Sequence, residues 1–163
     1  THCISSAASD VYKRQPQAGL HAPMAPVTGV IRPVADGEAI TVAGVNLTGL
    51  ATPGHTIDAM SWQWESCDVG GCVTIVYADS LSPVSADEYR FTDHPDYVAM
   101  FRGGIKRLAG QACDMLLTPH PSASDMLARA RTGTLVGGKS CHAYAVSKTK
   151  GLDDRLAKEA AAK

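Results

Sequence analysis

Apolar and polar positions alternate along the first half of the chain and recur at a longer period in the second. Ile40, Val42, Val45, Leu47 and Leu50 alternate in part and break at Ala43-Gly44, which predicts two short strands joined by a tight turn. Over residues 60–65, Met60, Trp62 and Trp64 fall on one face of a strand, with Ser61 and Gln63 on the other. Val73-Thr74-Ile75-Val76-Tyr77 is a β-branched run that reads as a mostly buried strand ending at Ala78-Asp79-Ser80. The period then changes. Between His94 and Ala109, Tyr97, Met100, Phe101, Ile105 and Leu108 make an apolar stripe at helical spacing, with Thr92-Asp93 as N-cap and Gly110 as the stop. Asp114 to Thr118 predicts a short apolar strand that breaks at Pro119-His120-Pro121. Ser122 and Ser124 are placed to cap a helix through Arg131, and residues 139–163 read as a charged, Ala-rich surface helix interrupted at Gly151. Strands first, then helix, strand, helix and helix make this an α/β chain.

The N-terminal stretch departs from this order. Residues 16–37 are rich in Pro and Gly and predict an extended connector. Residues 1–15, THCISSAASDVYKRQ, show no apolar periodicity and lack the basic start and apolar stretch of a secretory signal. They resemble translated sequencing-adaptor read-through, so they are expected to be a non-native segment, with the natural sequence continuing upstream of Pro16.

Charge and composition narrow the functional classes. The 163 residues carry 15 Lys+Arg against 16 Asp+Glu, a formal net charge of −1, so there is no basic footprint for nucleic acid. At 45% hydrophobic and 19% charged residues the chain is globular in character, and no apolar run reaches the roughly 20 residues of a membrane span. Nucleic acid and membrane are therefore not expected partners; oligomeric state is not legible. Of the five cysteines, Cys3 lies in the foreign-looking segment, which leaves Cys67 with Cys72 and Cys113 with Cys141. Two tidy pairs favour disulfides and an oxidising compartment. A reduced zinc knuckle is the competing reading, since C-x4-C is a permitted ligand spacing, but it lacks a second close pair.

Two histidines stand out by their neighbours. His55 lies in Thr52-Pro53-Gly54-His55-Thr56 and His120 in Thr118-Pro119-His120-Pro121. Flanking prolines stiffen the backbone around His120, and Gly54 removes bulk beside His55. Such pre-orientation suits metal ligation, in which imidazole nitrogens converge at about 2.0–2.1 Å from zinc; loop histidines bonded to backbone are the plain alternative. Ser80 emerges at the end of a buried strand, where sites are commonly built. It lacks the G-x-S-x-G setting of a nucleophilic serine, and a simple strand-ending turn is equally consistent. Asp79 could cap that turn or orient a ligating histidine. His94 reads as a helix-start residue, and His21 and His142 as surface groups.

Taken in order, Thr52-Pro53-Gly54-His55-Thr56, the Trp62/Trp64 strand, Tyr77-Ala78-Asp79-Ser80-Leu81 and Leu116-Leu117-Thr118-Pro119-His120-Pro121 resemble the third subclass of class B metallo-β-lactamases from about residue 25 onward. The first motif alone would indicate only the wider metallo-hydrolase superfamily. Asp79-Ser80-Leu81-Ser82, Thr118-Pro119-His120-Pro121 and the placement of Cys113 and Cys141 narrow it. The resemblance implies an αββα sandwich, with residues 16–163 as its C-terminal half, two zinc ions between the halves, and a small-molecule β-lactam substrate. It implies His55 as the third histidine of the first zinc and His120 as the last ligand of the second. Ser80 would hold a zinc-bound water where related subclasses carry a Cys ligand, and Ser82 would contact the substrate carboxylate. Zinc lowers the pKa of water towards about 7 and polarises the carbonyl to be attacked, while the second ion stabilises the nitrogen that leaves.

One departure outweighs these matches. The H-x-H-x-D-H motif, which supplies four of the six ligands in such enzymes, is nowhere in the chain, and its place is expected upstream. Thr56-Ile57-Asp58-Ala59 also departs from the Pro-Gly that commonly follows His-Thr, and Asp58 is not a substitute ligand. The expectation is a periplasmic or secreted zinc-dependent β-lactam hydrolase in full-length form, with this fragment inactive alone. The rivals are a lactonase or thioesterase of the same superfamily, or a metal-free, disulfide-stapled binding module. The expected disulfides are Cys67–Cys72 and Cys113–Cys141, with Cα atoms about 4.4–6.8 Å apart.

Overall fold

A computed structural model describes Val30 and residues 32–162. The segment 1–15, Cys3, His21 and most of the predicted connector lie outside the described residues. Within them, five strands form one sheet in sequence order: β1 (Ala39–Val42), β2 (Val45–Ala51), β3 (Met60–Asp68), β4 (Gly71–Tyr77) and β5 (Met115–Leu117). The first four pair antiparallel, and β5 runs parallel to β4. Between the parallel strands the chain crosses over through a 3₁₀ turn (Phe91–Asp93) and helix α1 (Pro95–Ala109). After β5 come a second 3₁₀ turn (Pro121–Ala123), the short α2 (Met126–Arg131) and the long α3 (Cys141–Ala161).

Local chemistry explains the turns. The β1–β2 hairpin closes through Ala43 and Gly44 with φ of 50° and 81°, the doubly left-handed geometry of a two-residue hairpin. At the β3–β4 turn the Asp68 carboxylate accepts the Gly70 N–H at 2.7 Å, and Cys67 faces Cys72 in the register. That disulfide is present with a Cα separation of 4.0 Å, shorter than the expected window because the two residues oppose each other directly across the strands. Cys113–Cys141 is also present, at 5.8 Å, and joins the approach to β5 to the first residue of α3.

The two longer helices, α1 and α3, cover one face of the sheet. Val76 and Leu116 from the strands meet Phe101, Ile105, Leu108 and Leu152 from the helices in a single buried cluster. Each such side chain contributes about 1.5–3 kcal/mol of transfer free energy when fully buried. The opposite face carries Trp62, Trp64 and Met115, half-buried, and the exposed Tyr77.

Ser61 and Gln63 share a face as the alternation predicts, and Ser61 is fully buried there, opposite Leu50 on the helix-covered side. Several expectations need correcting. Met100 lies off the buried stripe of α1 and is 40% exposed. The N-cap of α1 is His94 rather than Thr92-Asp93, whose segment is taken up by the 3₁₀ turn, and Pro95 occupies the first turn. Ser124 does not cap: its hydroxyl is buried against that of Thr118 at 2.8 Å, and Asp125 precedes α2 in left-handed geometry. Gly151 does not interrupt α3, which runs unbroken from its Ser140 cap. Nor is α3 a surface helix, since Cys141, Tyr144, Ala145 and Leu152 are buried.

Candidate metal and substrate site

Topology brings the candidate segments to one edge. Strands β2 and β4 point the same way, each being antiparallel to β3, and β5 is parallel to β4. The C-terminal ends of β2, β4 and β5 therefore emerge together, and they lead into the His55 loop, the Asp79–Ser82 segment and the His120 loop. Strand ends on a shared edge are a common location for binding sites.

The His55 loop is tied down from several sides. Buried Thr52 places its hydroxyl 2.8 Å from that of Ser61 and donates its N–H to the Ala59 carbonyl. A Cβ on Gly54 would come within 2.5 Å of the Phe101 ring and 2.8 Å of Leu81, so only glycine fits this contact. The Tyr97 hydroxyl donates to the Gly54 carbonyl at 3.0 Å, and burial pushes its pKa well above the usual tyrosine range. His55 itself is half-buried, with Nδ1 3.2 Å from the Ser82 carbonyl oxygen. A carbonyl only accepts, so this contact calls for a hydrogen on Nδ1, and in the neutral ring that leaves the lone pair on Nε2.

The Asp79–Ser82 segment is held in an unusual conformation. Leu81 is fully buried with φ of 45°, a left-handed geometry that costs a branched residue of order 1–3 kcal/mol. Tyr144, one turn into α3, donates its hydroxyl to the carbonyls of Ser80 at 2.7 Å and Asp79 at 3.1 Å. The Asp79 N–H donates to Ser61 Oγ at 2.9 Å. Among the described residues, Asp79 Oδ2 and Ser80 Oγ are buried with no hydrogen-bond partner. Orphaned polar atoms of this kind mark a place completed by something else.

At the third strand end, Thr118 is buried and its hydroxyl donates to the His120 carbonyl at 2.9 Å, an oxygen that also accepts the Ala123 N–H. Those bonds fix the loop while the residue itself stays exposed, so His120 does not turn into the protein interior. Asp58 is likewise exposed, in a turn. His94 stacks on Tyr89 at the start of α1, and His142 is exposed.

Among the described residues, no group of three or more His, Cys, Asp and Glu side chains is arranged to hold a metal ion. Two imidazoles and two unpartnered buried oxygens at one sheet edge fit part of a zinc site; they do not compose one. Ser61, Tyr144 and Lys148, which order this edge, were not singled out from sequence. Tyr144 and Lys148 sit four residues apart in a segment dominated by alanine and charge, and that lone aromatic was the available signal.

No family model matches the chain. Solved structures do, at high similarity. One is the metallo-β-lactamase MIM-1 from Novosphingobium pentaromativorans, with 42% identity and a TM-score of 0.83 over 91% of this chain and 55% of that one. A second is MEM-A1, a subclass B3 metallo-β-lactamase from a soil metagenome library, with 34% identity and a TM-score of 0.82 over 91% of this chain and 59% of that one. SMB-1 bound to 2-mercaptoethanesulfonate matches at 39% identity and a TM-score of 0.81, over 88% of this chain and 57% of that one. The fold is therefore that of the metallo-β-lactamases. Over most of its length the chain is similar to these metallo-β-lactamases, one of them a subclass B3 enzyme, and it spans somewhat more than half the length of each.

Proposed function

We propose that the full-length protein carrying this chain is a zinc-dependent hydrolase of the β-lactam amide bond, working in the periplasm or outside the cell. The observation that carries the reading is the contact between His55 Nδ1 and the Ser82 carbonyl, which couples the two histidine-class and serine-class segments at one strand edge. In this reading His55 and His120 each give one imidazole to a two-zinc site completed by residues beyond the described ones. The bound zinc supplies an activated water and polarises the lactam carbonyl. The chain's own groups do the positioning. Ser61 and Tyr144 lock the Asp79–Ser82 segment, the orphaned Ser80 hydroxyl holds a water, and Ser82 faces the substrate carboxylate.

With two imidazoles out of six ligands, the chain by itself is expected to bind zinc weakly and to turn over no lactam. The test is steady-state hydrolysis of a chromogenic cephalosporin by the zinc-loaded full-length protein, before and after chelation, with a lactone and a thioester as competing substrates. Chelator-sensitive lactam hydrolysis is expected. Preference for the lactone or thioester would overturn the substrate, and chelator-resistant activity would overturn the metal. In the same protein, His120→Ala should lower turnover and zinc occupancy together.

A further inference from the structure

The face of α3 that reads the Asp79–Ser82 segment carries a second residue. Lys148 lies one turn beyond Tyr144, and its ammonium donates to Ser82 Oγ at 2.9 Å while sitting 4.8 Å from the centre of the Tyr144 ring. Tyr144 thus fixes the carbonyls of Asp79 and Ser80, and Lys148 reaches the side chain of Ser82, two residues on. The lysine is half-buried, and no ion pair among the described residues includes it. A hydroxyl and an aromatic face orient a cation without neutralising it. Burial and the neighbouring Lys139 push its pKa below the usual lysine value, with Asp79 opposing them. An ammonium has three donor hydrogens, and Ser82 occupies one.

We propose that Lys148 is a specificity-determining residue that binds the carboxylate of the substrate together with Ser82. This rests on the lactam reading above. The Ser82 hydroxyl now donates to the Ser80 carbonyl across a long 3.3 Å contact while it accepts from Lys148. A carboxylate arriving beside it draws that proton into a shorter, charge-assisted bond and takes a second from the ammonium. Because Ser82 is the residue whose carbonyl contacts His55, the anion is registered against the same segment that positions the imidazole. The substrate class follows: lactams with a free carboxylate next to the ring nitrogen are favoured over their esters.

The test compares the zinc-loaded full-length protein with its Lys148→Gln and Lys148→Arg variants on a cephalosporin and on its methyl ester. Lys148→Gln should raise KM for the carboxylate form by about tenfold or more, as loss of a charge-assisted contact implies. Its kcat should change by no more than about threefold, its KM for the ester should stay as in the wild type, and Lys148→Arg should recover most of the loss. Equal effects on acid and ester, or none, would reduce Lys148 to a brace for Ser82 and overturn the proposal. A second readout is independent of turnover: in metal-free protein with labelled lysine, the Lys148 Cε resonance should shift on titration with the cephalosporin carboxylate and not with its ester. A resonance that ignores both ligands overturns the proposal. Wild-type protein that shifts this resonance yet hydrolyses neither form would instead overturn the lactamase reading alone.

Discussion

The hydroxyl of Ser61 lies 2.8 Å from that of Thr52, and the same oxygen accepts the backbone N–H of Asp79 at 2.9 Å. One buried serine on β3 therefore joins the strand end that leads to His55 to the strand end that leads to Ser80 and Ser82. Ser61→Ala removes the shared partner and leaves two buried polar groups unsatisfied. It should cost about 1–3 kcal/mol per group that finds no water. A lowered urea midpoint with an unchanged slope is the expected result, and an unchanged midpoint would remove Ser61 as the link.

Close packing beneath the His55 loop leaves no room for a methyl group. A Cβ on Gly104 of α1 would meet the Pro53 carbonyl oxygen at 2.4 Å, and one on Gly54 would meet Phe101 at 2.5 Å. Gly104→Ala or Gly54→Ala should destabilise by about 1–3 kcal/mol, the usual range for overpacking. This outweighs the gain of up to about 1 kcal/mol that alanine normally brings to a helix interior at position 104. Gly151, with nothing within 4 Å, is the control in α3: Gly151→Ala should be stabilising.

Acid should loosen the far end of α3. Burial alone would raise the pKa of Glu159, but the Arg155 guanidinium at 2.6 Å and the Thr92 N–H at 2.9 Å outweigh it and hold the carboxyl below the usual glutamate value. A depressed folded-state pKa contributes stability that is fully present above the unfolded-state value of about 4.3 and is lost as pH falls through the folded-state value. Glu159→Gln should flatten that part of the stability–pH curve. Curves that stay parallel below pH ~4.3 would show that other groups carry the acid dependence.

The two disulfides should differ in weight. Cys113–Cys141 spans 28 residues, for which the chain-entropy model gives roughly 3–4 kcal/mol. Cys67–Cys72 spans 5 in a hairpin already closed by its turn, and its removal should cost less. Urea melts of the paired Cys→Ala variants check the order, and free thiols at Cys113 and Cys141 in secreted protein would also remove the argument for a periplasmic setting.

The uncovered sheet face should be adhesive. Trp62, Trp64 and Met115 are half-buried on the side that no described helix covers, with Tyr77 exposed beside them. The isolated chain is expected to bind a hydrophobic dye or to associate. A monodisperse monomer with a sharp two-state melt would contradict that.

Sequence alone determined the elements whose cause is local. The left-handed pair Ala43-Gly44 has one hairpin to make, the β-branched run at 73–77 has one strand to make, and the stripe Tyr97, Phe101, Ile105, Leu108 has one face to bury. The motifs around His55, Asp79–Ser82 and His120 were legible as motifs, and the order in which they occur pointed to the right family. Tertiary structure decided the rest. The alternation separates Ser61 and Gln63 from Trp62 and Trp64 but does not say which side is buried, because a period of two offers two faces and only the helix layer chooses between them. Gly151 reads as a break until the flanking Tyr144 and Leu152 are seen to be buried, since packing of an apolar face outweighs roughly 1 kcal/mol of glycine propensity. Lys148 reads as a solvated charge on a surface helix until α3 is laid across the strand ends. Residues 66 positions apart, such as Ser82 and Lys148, meet through topology, and no local pattern encodes that meeting.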